Sequence, residues 1–226
     1  MNYPFQIMNA GSIKRTALPT RRDEARALFR NAILDAAEEV IADRGFHAAR
    51  IQDIAERARI AVGTVYNHFR TKEDVLRALL EERSEALRRE LAPAPGDPAA
   101  FEKKLAVRLS RLLAYVDRHR SFFLVALEHG LFGAASAAAE ANLHGKPVRR
   151  MADVKSALAA LVQEGIDAGA LAPEDPARLT RFLGGTVRGF IVGGLQAGVL
   201  RVEDEAAIIV SLFLHGAGHR AERRKR

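Results

Sequence analysis

IQDIAERARIAVGTVYNHFRTK, residues 51–72, reads as two short helices joined by a tight turn. Ile51, Ile54, Ala55 and Ala58 recur at helical spacing, so the first helix buries one face while Gln52, Asp53, Glu56 and Arg57 stay in water. Ile60 interrupts the polar segment between Ala58 and Ala61, and a hydrophobe buried in such a turn locks two helices at a steep angle. In the second helix Val65 and Phe69, four apart, face the core and leave Thr64, Asn67 and His68 free. Thr71, followed three residues later by Asp74, is close to a capping box and starts a new helix at about Lys72. A bihelical unit of this size, with an aromatic and basic second helix, has the shape that fits a DNA major groove.

Upstream, Phe29, Ile33, Ala36, Ala37, Val40 and Ile41 form the apolar stripe of a helix that Gly45 stops as a C-cap, with Phe46 folding back. Together these elements resemble the DNA-binding domain of the TetR family of bacterial transcriptional regulators. The matching elements are Ile33 to Val40, Gly45-Phe46, Ile51-Gln52-Asp53-Ile54-Ala55, Gly63-Thr64-Val65-Tyr66-Asn67-His68-Phe69 and Lys72-Glu73. Three positions depart from the family pattern: Arg50 stands for a capping Thr, Arg59 for Gly, and Ala61 for a common Ser. Arg59 in a left-handed turn costs roughly 1–2 kcal/mol, and each lost cap costs about 1 kcal/mol.

The resemblance implies an all-α chain: an N-terminal three-helix DNA-binding domain with a helix-turn-helix, and a C-terminal helical domain for ligand binding and dimerisation. The expected partition is an irregular arm over residues 1–25, the DNA-binding domain over 26–86 with its motif at about 49–68, the ligand-binding and dimerisation domain over 87–219, and a basic tail over 220–226. Tyr66, His68 and Lys72 occupy the family's phosphate-contact positions, each with a group that can donate to a phosphate oxygen. Gln52, Thr64 and Asn67 are the candidates for base edges, Val62 and Gly63 read by shape, and Arg50 adds a phosphate contact.

Composition agrees. A formal net charge of +7 favours a polyanionic partner, because phosphate neutralisation dominates nucleic-acid affinity. With 48% hydrophobic and 28% charged residues there is material for a sizeable core. The absence of cysteine excludes disulfides and thiolate metal sites and suits a cytoplasmic protein. Residues 1–10 carry no basic region followed by an apolar run, so no secretory signal is expected. His215 and His219 are four apart but have no third ligand near in sequence, so no metal is expected. There is no nucleophile motif, phosphate-cradling glycine loop or distinctive carboxylate pair, and hence nothing that supports catalysis.

The rest of the chain reads as helices. One continues from Lys72 to about Leu91 and leaves the small domain as a mechanical link. Asp97 is expected to cap, and Pro98 to open, a helix running to about His119, and Ser121 to cap the next, from Phe122. Gly130 to Lys146 reads as a helix end plus a loop. Val148 to Ala168 is helical and stops near Gly169, Asp175-Pro176 starts a further helix, and Ala206, Ile209, Val210 and Phe213 mark the last.

The apolar run Leu183 to Leu200 contains Arg188 and Gln196 and is short for a membrane span, so its Gly-x-x-x-Gly spacing is read as a subunit interface. The final two helices carry more apolar surface than one domain covers, which predicts a homodimer through Phe182, Gly185, Gly189, Phe190, Gly193, Ile209 and Phe213. A twofold dimer presents two recognition helices about 34–36 Å apart and calls for a near-palindromic operator. The resemblance further implies a small-molecule effector, with Tyr115, Phe122, Phe123, His129 and Phe132 as candidate lining and Arg111 as an anion partner. The expected function is a ligand-responsive repressor with no cofactor. The alternative is a basic helical protein that binds DNA architecturally, without an effector.

Overall fold

Two reciprocal capping boxes set the start of the helices that frame the N-terminal helical unit. In the computed structural model, which describes residues 20–128 and 151–215, the Thr20 hydroxyl accepts from Asp23 N at 3.3 Å and the Asp23 carboxylate accepts from Thr20 N at 3.0 Å. Helix α1 (Arg21–Ala48) therefore begins at Arg21, and the last residues of the segment expected as an irregular arm are its first turns. This correction has a local cause: the Thr-x-x-Asp pair satisfies two backbone donors that would otherwise be orphaned. The same device, with Thr71 and Asp74, opens α4 (Lys72–Leu91).

Gly45, at φ 73° and ψ 159°, breaks the helical path of α1 and turns Phe46 back against the core, where a side chain at 45 would be strained. The chain then resumes its turn as far as Ala48. Between α1 and α4 lie α2 (Ile51–Arg57) and α3 (Val62–His68). Ile33, Leu34, Ala37, Ile54, Val65, Val75 and Leu79 have essentially no exposure and form the common core of this unit.

Beyond α4 follow α5 (Phe101–Arg118), α6 (Arg120–Glu128), α7 (Met151–Asp167), α8 (Pro176–Ala197) and α9 (Val202–His215), with no strand among the described residues. Helix α5 is central, packing against α4, α6, α7, α8 and α9, while α1 packs across onto α6. Asp175 caps α8 by accepting from Ala177 N at 3.0 Å, with Pro176 in the first turn, and Gly198 closes that helix in the left-handed region at φ 76°.

Two expected starts move. Asp97 does not cap α5, which begins three residues after Pro98; its carboxylate instead accepts from Ala94 N at 3.1 Å and from Arg108 Nε at 2.9 Å. Ser121 lies inside α6, which starts at Arg120 directly after the α5 turn. Arg108, 2% exposed, also reaches Glu164 Oε1 of α7 at 2.9 Å, so its buried charge is paired on two sides and ties the 92–100 segment to α5 and α7. The expected arm before Thr20, the loop from Gly130 to Lys146, the basic tail, His219, and the candidate lining residues His129 and Phe132 lie outside the described residues.

Candidate nucleic-acid interface and apolar cavity

Helix α2 is riveted to α1 before any partner arrives. Arg57 donates to Glu39 at 2.7 Å and to Asp43 at 2.9 Å, and Arg44 pairs with Asp53 at 2.9 Å. The α2–α3 turn follows the expected strain: Arg59 has φ 55°, the only positive φ at a non-glycine residue among those described. Ile60 sits partly buried in the turn, and its N–H donates to Ala55 O at 3.0 Å. Neither Arg50 nor Ala61 offers a side-chain acceptor as a cap, but the Asp53 carboxylate accepts from Arg50 N at 3.0 Å and closes half a box.

On this frame Val65 and Phe69 are buried, and the opposite face of α3 is open. Tyr66 is 50% exposed, Asn67, Gly63, Gln52 and Arg50 are exposed, and Val62, Thr64, His68 and Lys72 are half-buried. A Cβ at Gly63 would meet nothing within 4 Å, so that position is left open to a close approach from outside. Burial, followed by the nearby Arg26 and Arg30 guanidinium groups, holds the His68 pKa below its ordinary value, so its imidazole is neutral at pH 7. Lys72 does more than point outward. Its ammonium donates to Phe46 O at 2.7 Å and His47 O at 3.1 Å and lies 4.6 Å from the centre of the Phe46 ring. One of its three N–H groups remains for a further acceptor.

The second domain holds a cavity of about 600 Å³ between α4, α5, α6, α7 and α8. Leu87, Leu112, Val116, Phe123, Leu158 and Ile191 supply apolar wall, while Lys155, Arg181 and Arg188 supply cations, with no Asp or Glu among the described lining residues. Of the residues expected there, Phe123 lines the cavity, whereas Tyr115 and Phe122 are buried in the core beside it. Arg111 is placed elsewhere: its guanidinium donates to Glu90 O at 3.0 Å and Ala92 O at 2.8 Å, satisfying carbonyls at the end of α4. The sequence marks none of these three cations as cavity wall: Arg188 reads as part of the glycine-rich interface helix, Arg181 as a bracket of its apolar run, and Lys155 carries no motif.

The face of α8 away from α5 leaves Phe182 52% exposed and stacked on Phe213 of α9 at 6.1 Å. Gly185, Gly189 and Gly193 are exposed, with nothing within 4 Å of a built Cβ, Phe190 is half-buried, and Gly185 differs from expectation in also bordering the cavity beside Arg181 and Arg188. Ile209 and Phe213 differ from expectation: they are buried inside the protomer, and Ile208 is the large apolar residue of α9 left 46% exposed.

A helix-turn-helix unit thus leads through one long helix into a helical domain with an apolar cavity. The sequence model of the bacterial regulatory proteins of the tetR family matches residues 33–79, so over this segment the chain is similar to the TetR-family DNA-binding unit. It is 34% identical over 99 residues to the fatty acid metabolism regulator protein of Bacillus subtilis, covering 44% of this chain and 46% of that one. Over 84 residues it is 40% identical to an HTH-type transcriptional repressor of Mycobacterium tuberculosis, covering 37% of this chain and 43% of that one. The chain thus spans less than half the length of these curated relatives. In fold it is similar to FadR of Bacillus halodurans, a fatty acid degradation regulator (TM-score 0.72, 23% identity, 85% of this chain and 97% of that one). It is also similar to the transcriptional regulator FadR of Bacillus subtilis in complex with stearoyl-CoA (TM-score 0.67, 22% identity, 83% and 99%).

Proposed function

We propose that this chain is a homodimeric, sequence-specific transcriptional repressor that leaves a palindromic operator when an amphiphilic anion of the long-chain acyl-thioester class enters its cavity. The observation that carries the reading is α4. Its first residue, Lys72, is bound to the Phe46 and His47 carbonyls of the DNA-reading unit, and its Leu87 is wall of the cavity. One rigid element therefore belongs to both sites, which is what a population shift between DNA-competent and DNA-incompetent arrangements requires.

In this reading residues 26–86 hold DNA. Gln52, Thr64 and Asn67 meet base edges, Arg50, Tyr66, His68 and Lys72 meet phosphates, and Val62 and Gly63 fit the groove wall. Residues 87–219 take the effector and pair the protomers through Phe182, Gly185, Gly189, Phe190 and Gly193, with Ile208 taking the place first given to Ile209. A volume of about 600 Å³ falls in the range of small-molecule sites. The apolar walls suit an acyl chain, and Lys155, Arg181 and Arg188 suit an anionic head. Stearoyl-CoA on the Bacillus subtilis neighbour supports that ligand class. The protein works in the cytoplasm, beside the chromosome, without chemistry of its own.

Selection of random duplexes by the purified full chain tests the reading. A palindrome with half-sites one helical turn or a multiple apart should emerge, bound at least about 10³-fold more tightly than unrelated DNA. Micromolar stearoyl-CoA should release it. Binding without sequence preference would favour an architectural protein and reject this function.

A further inference from the structure

The two domains meet at a second place, where α1 packs on α6, and charged groups occupy the seam. Arg83 of α4 is 7% exposed, and its Nε donates to Glu38 Oε2 of α1 at 2.9 Å. The other carboxylate oxygen of Glu38, Oε1, lies 2.9 Å from Nδ1 of His119, in the turn between α5 and α6. Because a carboxylate only accepts, Nδ1 carries the hydrogen. Glu38 is thus held by one group from α4 and one from the α5–α6 turn. Burial alone would depress the Arg83 pKa, but the Glu38 carboxylate outweighs it and keeps the guanidinium firmly charged.

The seam is continuous with the cavity. The Tyr115 ring lies 4.5 Å from the His119 ring and meets the Phe123 ring edge-on at 6.3 Å, and Phe123 is cavity wall. It is also continuous with the DNA reader, since Glu39, the next residue of α1, binds Arg57 of α2 at 2.7 Å. Beside these groups lies a polar crevice of about 620 Å³, bordered by Glu38, Glu39, Arg57, Arg83, Arg118 and His119. Side chains bordering such space can exchange partners, whereas the dry core around them moves only as packed blocks.

We propose that Glu38 is the latch through which the cavity reaches the DNA reader, with His119 and Arg83 as its positioning residues. A ligand that presses on Phe123 displaces the Tyr115–His119 ring pair, draws His119 from Glu38 Oε1, and frees α1 with the attached Arg57 and α2 to shift. The proposal takes the cavity as the effector site of the preceding reading, and its test does not depend on the ligand being correct.

The test is amide hydrogen exchange on the full chain, with the cavity perturbed in two ways, by Phe123→Leu and by stearoyl-CoA. Phe123→Leu should change protection of residues 51–69 by about fivefold or more, the low end of ordinary coupling. In a His119→Phe background, which keeps the ring stacking but removes the N–H, the same substitution should change it less than about twofold. His119→Gln, which restores an N–H donor, should recover the response, and Glu38→Gln provides a second cut of equal volume should His119→Phe fail to fold. A purely structural seam would lower protection in the single variants yet leave the response to Phe123→Leu intact, and that result, or no response in the native chain, overturns the latch. Failure of stearoyl-CoA to protect α5 and α8 in the native chain would reject the ligand class alone, with the Phe123→Leu comparison still deciding the latch.

Discussion

Lys72→Ala separates two jobs that one ammonium performs. Within the protein, Lys72 makes charge-assisted hydrogen bonds to Phe46 O at 2.7 Å and His47 O at 3.1 Å and sits 4.6 Å from the Phe46 ring centre. The site is half-exposed, so each bond is worth about 0.5–1.5 kcal/mol and the ring contact about 0.5 kcal/mol, or about 1.5–3.5 kcal/mol together. Water can reach the vacated His47 carbonyl, which places the expected loss at the lower end, about 1.5–2 kcal/mol. The third N–H is the one available to a phosphate. Its loss should flatten the slope of log affinity against log salt by about 0.9 and weaken all duplexes alike, without altering the selected site. Chemical denaturation at fixed protomer concentration measures the first effect and binding titrations at several salt concentrations measure the second. Lys72→Arg should keep the slope while losing part of the stability, because a planar fork does not reproduce a compact ammonium under two carbonyls. Lost stability with an unchanged slope would refute the phosphate contact and leave Lys72 as an anchor of α4 alone.

Arg59→Gly should stabilise the chain: it relieves about 1–2 kcal/mol of left-handed strain against roughly 0.5–1 kcal/mol of added unfolded-state freedom. The net gain of about 0.5–1 kcal/mol should raise Tm by about 1–4 °C in calorimetry, and a lowered Tm would mean that the Arg59 side chain makes contacts worth more than its strain. His68 gives a pH signature. Its free pKa lies below 6.5, chiefly through burial, and a phosphate beside it pulls the bound value up. DNA affinity at constant salt should therefore be flat above the bound pKa, rise as pH falls between the bound and free values, and level off below the free value; a His68→Asn variant should show no such rise. Arg188→Glu should weaken stearoyl-CoA binding by about tenfold or more, as for a lost charge-assisted contact, and leave the dimer intact. Phe182→Arg should do the reverse in sedimentation, and dissociation caused by Arg188→Glu would place the interface on the cavity side of α8.

Where local chemistry decides, the sequence was sufficient. The apolar spacing of Ile51, Ile54 and Val65, the Thr71–Asp74 box and the Asp175-Pro176 start all recur in the fold because each is settled within one or two turns. Asp97 shows where that stops. It has the right residue type and a following Pro98, yet Arg108, eleven positions on, takes its carboxylate, and long-range pairing overrides capping preference. The same limit applies to Arg111, whose partners are the Glu90 and Ala92 carbonyls at the end of α4 and the Asp97 carboxylate, and to Ile209 and Phe213. Their spacing with Ala206 and Val210 marks an apolar stripe, but periodicity does not say whether α5 or a second protomer covers it. For the candidate site, the exposed set on α3 was legible because a helix has only one other face. The cationic side of the cavity was not, since Lys155 and the α8 arginines converge only when α7 folds against α8.

The position of Arg83 on α4 has a mechanical consequence. Held by Glu38, it ties the middle of α4 to α1, and it stands four residues from Leu87 at the cavity but eleven from Lys72, which is tied in turn to the end of α1. At 1.5 Å per residue these arms are about 6 Å and about 16 Å, so a tilt about Arg83 is magnified nearly threefold at the DNA end. A shift of about 1 Å at Leu87, small enough for one added methylene in the cavity to cause, would move Lys72 and the attached Phe46 carbonyl by nearly 3 Å. That displacement is comparable to the full length of a phosphate hydrogen bond. Loss of DNA therefore does not require the reader to unfold. It requires only that α4 stay straight and that Arg83 remain its pivot, so a helix-breaking Arg77→Pro between pivot and reader should abolish the effector response even where duplex binding survives.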